Sequence, residues 1–218
     1  MNNKPLITYL SQFVTPDRLA KIQTLVALRT RYITVALEDV HQSHNASAIV
    51  RSCEAFGLQD IHCVTGKNKF DVKNTVASGA SKWLTLQEHK TSQDCIASLK
   101  QAGYKIVATS PHATKTLEAI NLDQKIALLF GTEQEGLTQQ TIDQADELIK
   151  IPMSGFTESF NVSVSVALCV YSLSTRLRAS DVVWQLNQQE QEILFLEWLK
   201  KSIERSDLLE KRFLDSSI

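Results

Sequence analysis

Five short apolar runs, at residues 32–37, 61–64, 83–86, 105–109 and 126–130, alternate along the chain with stretches of helical pattern at 46–56 and 92–102. Strands this short and this apolar are buried on both sides, and the helices between them cover the two faces of such a sheet. The alternation predicts an α/β fold. Ahead of it, Thr15 and Pro16 stand as cap and first residue of a helix with Leu19, Ile22, Leu25 and Val26 at helical spacing. Behind it, residues 161–178 read as a long apolar helix and residues 188–212 as a second, whose stripe includes Leu194, Trp198 and Leu199. A charged helix with one apolar stripe packs against its own domain or a partner subunit.

A chain of 218 residues can bury one substantial core. Cys53, Cys63, Cys95 and Cys169 have neither the close pairing of a thiolate zinc site nor the density of a disulfide framework, so they read as core thiols in a reducing cytoplasm. The first residues lack the basic-then-apolar pattern of an export signal, and no apolar stretch has membrane-spanning length. A cytoplasmic location without a membrane partner is expected. The net charge of -1 hides local basic excesses. Lys4, Arg18, Lys21, Arg29 and Arg31 stand against Asp17 alone, and Lys67, Lys69, Lys73 and Lys82 surround Asp71. Such patches either bind phosphate or form an ordinary solvated surface.

Chemistry concentrates in three turns. Residues 151–171 set Pro152, Gly155, Ser159 and Asn161 directly ahead of an apolar run, with Ser159 or Asn161 as the cap of the following helix. Residues 129–137 place Gly131 and Gly136 in a turn after a strand, where main chain can approach a ligand closely. That turn is neither a dinucleotide fingerprint nor a phosphate loop. Residues 45–57 offer Asn45 as a helix cap, Arg51 about two turns later and Glu54 beyond it. Arg51 either pairs with Glu54 or holds a phosphate through its bidentate guanidinium. Ser163 and Ser165 lack the elbow of a serine nucleophile, which disfavours a hydrolase. His41 and His44 lack the companions of a metal site, and His62, His89 and His112 read as surface or boundary residues, so no metal is expected.

In this order and spacing the three turns resemble the signature motifs of the SpoU/TrmH family of RNA ribose 2'-O-methyltransferases, a branch of the SPOUT class. Asn45, Arg51, Glu54 and Gly57 match the first motif, and Gly131, Glu133, Gly136 and Leu137 the second. Ile151, Pro152, Met153, Gly155, Ser159, Asn161 and Ser163 match the third. Phe160 departs from the leucine common at its position, a local packing change. The resemblance covers roughly residues 32–171, and the terminal helices are similar to those of members that act on guanosine 18 in the tRNA D-loop.

The resemblance implies a SPOUT α/β-knot, an α/β domain at residues 31–178 with a C-terminal deep trefoil knot. Helical extensions at 1–30 and 179–218 flank it, and the working form is a homodimer. The implied cofactor is S-adenosylmethionine, held by Leu129, Phe130, Gly131, Gly136, Ile151, Pro152, Met153, Ser159 and Asn161, with no required metal. The implied catalytic residues are Arg51, Asn45, Glu133, Ser159 and Asn161. Arg51 of one subunit stands beside the cofactor of the other, anchoring a phosphate and stabilising the developing alkoxide, with either that phosphate or Arg51 itself receiving the hydroxyl proton. Glu133 organises the loops, Ser159 places the ribose and Asn161 orients Arg51 or its loop. The implied substrate is tRNA, with Arg18, Lys21, Arg29, Arg31, Arg176 and Arg178 as phosphate contacts. The alternatives are another tRNA or an rRNA position, or a non-catalytic RNA-binding scaffold, which need not bind S-adenosylmethionine.

Overall fold

The computed structural model describes residues 3–40, 42–65, 79–132 and 134–215. Glu133, His41, Lys67, Lys69, Asp71 and Lys73 lie outside the described residues. The chain divides into two compact units, Thr30–Trp184 and the paired segments Met1–Arg29 and Gln185–Ile218.

The larger unit is built on a sheet of β1 (Ile33–Glu38), β2 (Asp60–Val64), β3 (Thr85–His89), β4 (Tyr104–Thr109), β5 (Lys115–Thr116), β6 (Lys125–Phe130) and β7 (Glu147–Lys150). The spatial order is β3-β2-β1-β6-β4-β7-β5, and every pairing is parallel. Within β1, Ile33, Val35 and Leu37 point into one core with α3 (Ser43–Ala55) and α6 (Val162–Arg178), whose Ile49, Val50, Val166 and Val170 are fully buried. The alternate Ala36 points into a second core with α4 (Ser92–Gln101) and the residues around α5 (Gln139–Asp143). Both faces are thus covered, which is why all six residues of β1 are buried and its sequence shows no polar alternation.

The outer strands carry little apolar pattern. β5 is two residues long, and β7 alternates, with Glu147 and Ile149 buried and Leu148 more exposed. Neither makes an apolar run. The run at 83–86 is also displaced: Trp83 ends a short 3-10 turn, Ala80–Trp83, and the strand begins at Thr85. Asn45 lies inside the first turn of α3 rather than capping it, because the helix starts at Ser43 with Gln42 as its cap. His62, expected at the surface or boundary, is only 4% exposed beneath α4.

The smaller unit contains α1 (Lys4–Ser11), α2 (Pro16–Ala27), α7 (Gln188–Ser202) and α8 (Ser206–Asp215). Thr15 caps α2 by accepting from the Arg18 N-H, and Asn187 with Glu190 forms a reciprocal capping box on α7. The apolar stripe of α7 packs on α1 and α2, burying Leu194, Trp198 and Leu199 with Leu10, Ile22 and Val26. The helix expected over 188–212 is two helices. Ile203 adopts extended backbone and Arg205 a left-handed φ of 55°, which no continuous helix accommodates.

Candidate functional site

Because every strand pairing is parallel, the loops that leave the strands' carboxyl ends share one edge of the sheet, the edge where α/β folds bind ligands. The residues after β6, after β7 and after β1 all emerge there. These are the segments that carry the three sequence motifs.

After β6 the chain closes a tight turn. Thr132 N-H donates to Gly136 O and Gly136 N-H donates to Thr132 O, both at 3.1 Å, while Glu135 N-H donates to Thr132 Oγ1 at 3.1 Å. A Cβ on Gly131 would lie 2.0 Å from the Gly136 carbonyl carbon and 2.2 Å from Leu137 N, so only glycine lets the two limbs of the turn meet. Gly136 sits at φ +70°. Leu129, Phe130 and Gly131 are buried, while Gln134, Glu135 and Gly136 are exposed at the tip of the turn. After β7, Ile151 and Met153 are half-buried and Pro152 is exposed.

Asn161 joins the third motif to the first. Its Oδ1 accepts from Ser163 N-H at 2.8 Å and from Ser163 Oγ at 2.6 Å, capping α6. A backbone N-H can only donate, so the amide of Asn161 has one orientation and its Nδ2 faces Asn45 Oδ1, 3.1 Å away. That forces Asn45 in turn: its Nδ2 donates to Gln42 Oε1 at 3.1 Å. Asn45 is 2% exposed while Gln42 and Asn161 are exposed, so the chain of amides is buried at its centre and open to water at both ends. Ser159 is exposed just ahead of this cap.

Arg51 lies on the exposed surface of α3, six residues after Asn45 and so about a third of a turn around the axis from it. Among the described residues it makes no ion pair with Glu54 and no hydrogen bond to Asn45, Asn161 or the turn after β6. The structure therefore unites Asn45 with Asn161 and leaves the Arg51 guanidinium presented outward.

The six expected phosphate contacts divide. Arg29 is 3% exposed with its guanidinium 5.3 Å from the Trp198 ring centroid. Arg31 pairs with Asp60 at 2.9 Å. Arg176 donates to Leu117 O and Ile120 O at 3.2 and 2.5 Å, and Arg178 donates to Phe56 O at 3.0 Å while lying over Trp184. Burial lowers the Arg178 pKa from its ordinary value. Arg18 and Lys21 share α2, with Lys21 exposed.

Sequence reading passed over Glu38, the last residue of β1. It is 7% exposed, and its carboxylate accepts from Ser92 Oγ, from Thr138 N-H and Oγ1 at 2.9 Å each, and from Thr141 Oγ1 at 2.6 Å. These bonds tie the carboxyl end of β1 to the start of α4 and to the segment that follows the turn after β6. A lone carboxylate closing an otherwise apolar buried strand was the available signal.

A family model described as the SpoU rRNA Methylase family matches residues 32–171. The chain is 41% identical over 205 residues to the tRNA (guanosine(18)-2'-O)-methyltransferase of Borreliella burgdorferi, covering 94% of each protein. Among solved structures, the TrmH/SpoU tRNA modifying enzyme of A. aeolicus superposes with a TM-score of 0.77 at 24% identity, over 87% of this chain and 98% of that one. The AdoMet-bound rRNA methyltransferase of Sinorhizobium meliloti shares the fold at a TM-score of 0.62 and 24% identity, over 72% of this chain and 60% of that one. With the family model spanning the sheet unit and its motif loops, and a relative aligned along almost the full length, the chain belongs to the SpoU methylase family.

Proposed function

We propose that this protein methylates the 2'-oxygen of guanosine 18 in the D-loop of tRNA, with S-adenosylmethionine as donor. The observation that carries this reading is the 41% identity, over 94% of both chains, to an enzyme named for that reaction. Methyltransferase function and cofactor use follow the family.

The cofactor suits the residues at the carboxyl edge. The turn closed on Gly131 carries no side chain at its tightest point, which lets an adenosine moiety approach the main chain closely. Residues 129–131, Gly136 and residues 151–153 would hold the nucleoside, with Ser159 and Asn161 completing the wall. Bound S-adenosylmethionine supplies a methyl group on a sulfonium, which is already a good leaving group. The chain's own residues then have two tasks, alignment and removal of the hydroxyl proton. A guanidinium presents a planar, bidentate fork of donors, so Arg51 works by anchoring a substrate phosphate and stabilising the alkoxide as it develops. The hydroxyl proton departs to that anchored phosphate. Ser159 places the ribose, Glu133 organises the turn after β6, and the Asn161–Asn45 pair holds the first and third motifs in register.

The working unit is a homodimer in which Arg51 of one subunit serves the cofactor of the other. Support comes from α6, where Val164, Leu168 and Tyr171 recur on one helical face and are exposed, Tyr171 at 57%. Tyr171 also meets Phe56 in a tilted ring contact with centroids 5.7 Å apart, extending the apolar surface toward α3. A second copy of the same face covers such a stripe by two-fold symmetry. Within residues 31–178 the C-terminal part of the sheet unit forms a deep trefoil knot, and residues 1–30 and 179–218 are helical extensions that help to hold tRNA in the cytoplasm.

The test is incubation with labelled S-adenosylmethionine and an unmodified tRNA transcript, followed by nucleotide-resolution mapping. Label is expected on the ribose of guanosine 18 and absent when that nucleotide carries a 2'-deoxyribose. Label at another ribose would replace the substrate. Failure to bind S-adenosylmethionine would leave the non-catalytic scaffold.

A further inference from the structure

His62 on β2, His89 at the end of β3 and Cys95 in α4 converge on the face of the sheet that α4 covers. The β2/β3 register sets His62 beside Gln87 and Val64 beside His89. Residues two apart in a strand share a face, so the two histidines stand diagonally across the strand pair on the same side. Their rings stack at 5.2 Å with an interplanar angle of 19°, and His62 Nδ1 is 3.0 Å from His89 Nε2. One ring nitrogen from each histidine and the Cys95 sulfur all lie within 4.8 Å of one another, the one such group of His, Cys and carboxylate residues found among those described.

We propose that His62, His89 and Cys95 form a binding site for a divalent transition cation of the zinc class, with water from the solvent side of His89 as fourth ligand. Two imidazoles and one thiolate are the donor set such a cation prefers, and magnesium or calcium would select oxygen instead. The two nitrogens stand close to ligation spacing, and the Cys95 sulfur, within 4.8 Å of both, settles about 3.6 Å from each on a bound cation. Two nitrogens on a tetrahedral zinc with bonds of about 2.0–2.1 Å stand about 3.3 Å apart, so the pair must open by roughly 0.3 Å. His62 and Cys95 are buried while His89 is half-buried, so the group is enclosed on the core side and reachable at His89.

The protonation states balance in a testable way. Without a cation, the facing nitrogens share one proton in their hydrogen bond. On binding, that proton moves to the far nitrogen of its own ring, and the Cys95 thiol gives its proton to solvent. One proton is released per cation. Burial, followed by the charge of Glu38, pushes the Cys95 pKa up to about 12, so the positive ion supplies what the thiolate lacks in its absence. Burial, followed by His89, lowers the His62 pKa to about 4 and keeps that ring neutral near pH 7. The site would clamp β3, the outermost strand on its side of the sheet, and α4 to β2.

The probe is cobalt(II), titrated into the metal-free full-length protein and then displaced by zinc. One equivalent should produce a thiolate-to-cobalt charge-transfer band with the intense visible bands of four-coordination. Both should vanish in Cys95→Ala and in His89→Ala, remain in His112→Ala, and be accompanied by release of one proton. Zinc should raise the unfolding midpoint of the unaltered protein and not that of Cys95→Ala, whose methyl transfer should persist. If the variants do not fold, X-ray absorption on the zinc-loaded unaltered protein decides: one sulfur and two imidazoles are expected, and a shell of oxygen and nitrogen alone overturns the proposal. So does the absence of a charge-transfer band, or its survival in Cys95→Ala.

Discussion

Asn161 Nδ2 donates to Asn45 Oδ1 at 3.1 Å, joining the cap of α6 to the first turn of α3 across 116 residues of sequence. The same Asn161 side chain accepts from Ser163 N-H, so it performs two separable tasks. Asn161→Asp retains the acceptor for the cap, and its negative charge suits a helix N-terminus. Its second oxygen, however, faces Asn45 Oδ1, and turning the Asn45 amide to meet it breaks the bond to Gln42. Stability by denaturant titration is expected to stay within about 1 kcal/mol of the unaltered protein. Turnover should fall by about tenfold or more, the scale of about 1.4 kcal/mol in a barrier. Asn161→Ala should lose about 1 kcal/mol of stability as well, from the missing cap. Full activity in Asn161→Asp would show that the amide bridge has no part in positioning the motifs.

Arg51 offers the opposite separation. It is exposed and, among the described residues, its side chain makes no hydrogen bond or ion pair, so Arg51→Ala should leave the unfolding midpoint almost unchanged. If it stabilises charge during transfer, turnover should drop on the order of 10²–10³-fold. Cofactor affinity, measured by calorimetry, should change by no more than a few fold. A parallel loss of cofactor binding and turnover would instead make Arg51 part of the cofactor pocket.

The central sheet was legible because β1 and β6 are nearly continuous apolar runs and β2 and β4 are apolar apart from Asp60, His62, Lys105 and Thr109, the signature that burial on both faces leaves. The cap of α6 was legible as Ser159 or Asn161, and the structure selects Asn161, since a polar residue directly before an apolar helix has few other uses. The two-residue β5 and the mixed Glu147–Lys150 carry no such periodicity, because Glu147 is made burial-compatible by partners distant in sequence. The candidate site residues divided for a similar reason. Type and spacing pointed to Asn45 and Asn161, whereas the engagement of Arg31, Arg176 and Arg178 with Asp60 and with backbone carbonyls depends on which chain segments fold beside them. A net surplus of arginine in a sequence does not say which of them keeps an unshared face.

The two glycines of the turn after β6 should respond differently. In Gly131→Ala the new Cβ meets backbone at 2.0 Å, and no side-chain rotation relieves it. The turn must open, so S-adenosylmethionine affinity should fall by tenfold or more, on the order of 1.4 kcal/mol. Gly136→Ala adds a Cβ to open space, and its cost is the left-handed φ of +70°, about 1 kcal/mol. Isothermal calorimetry on both variants distinguishes steric opening from simple loss of flexibility, and equal affinities in the two would contradict it.

Glu147 predicts an acid-sensitive sheet edge. Burial alone would raise its pKa, but hydrogen bonds and charge from Lys105 and Lys115 outweigh burial and leave it below the ordinary 4.5. The carboxylate lies 2.6 Å from Lys105 and 2.8 Å from Lys115. A depressed carboxylate pKa contributes stability that is present above the unfolded-state value and lost as pH falls through the folded-state one. Glu147→Gln should therefore be less stable near pH 7, on the order of 1–3 kcal/mol, because two ammonium groups lose their partner. The difference should shrink as pH falls below 4.5. Thermal unfolding of both proteins across that range gives the comparison, and a gap that stays constant into acid would rule out the ion pair as its source.

Lys21 is exposed on α2, whereas Arg29, Arg31, Arg176 and Arg178 are engaged with Trp198, Asp60, Leu117 and Phe56. If α2 tracks the tRNA backbone, each phosphate contact it makes releases counterions, and affinity falls with salt along a log-log slope of about 0.7–0.9 per contact. Lys21→Ala should weaken binding of every tRNA similarly and reduce that slope by about one such contact. Removing Arg31 should act differently. Its partner Asp60 is buried, so Arg31→Ala should lower the unfolding midpoint before it alters the salt dependence. Filter-binding or fluorescence titrations at several salt concentrations, read beside unfolding curves, separate the two. An unchanged slope in Lys21→Ala would move the RNA footprint off α2.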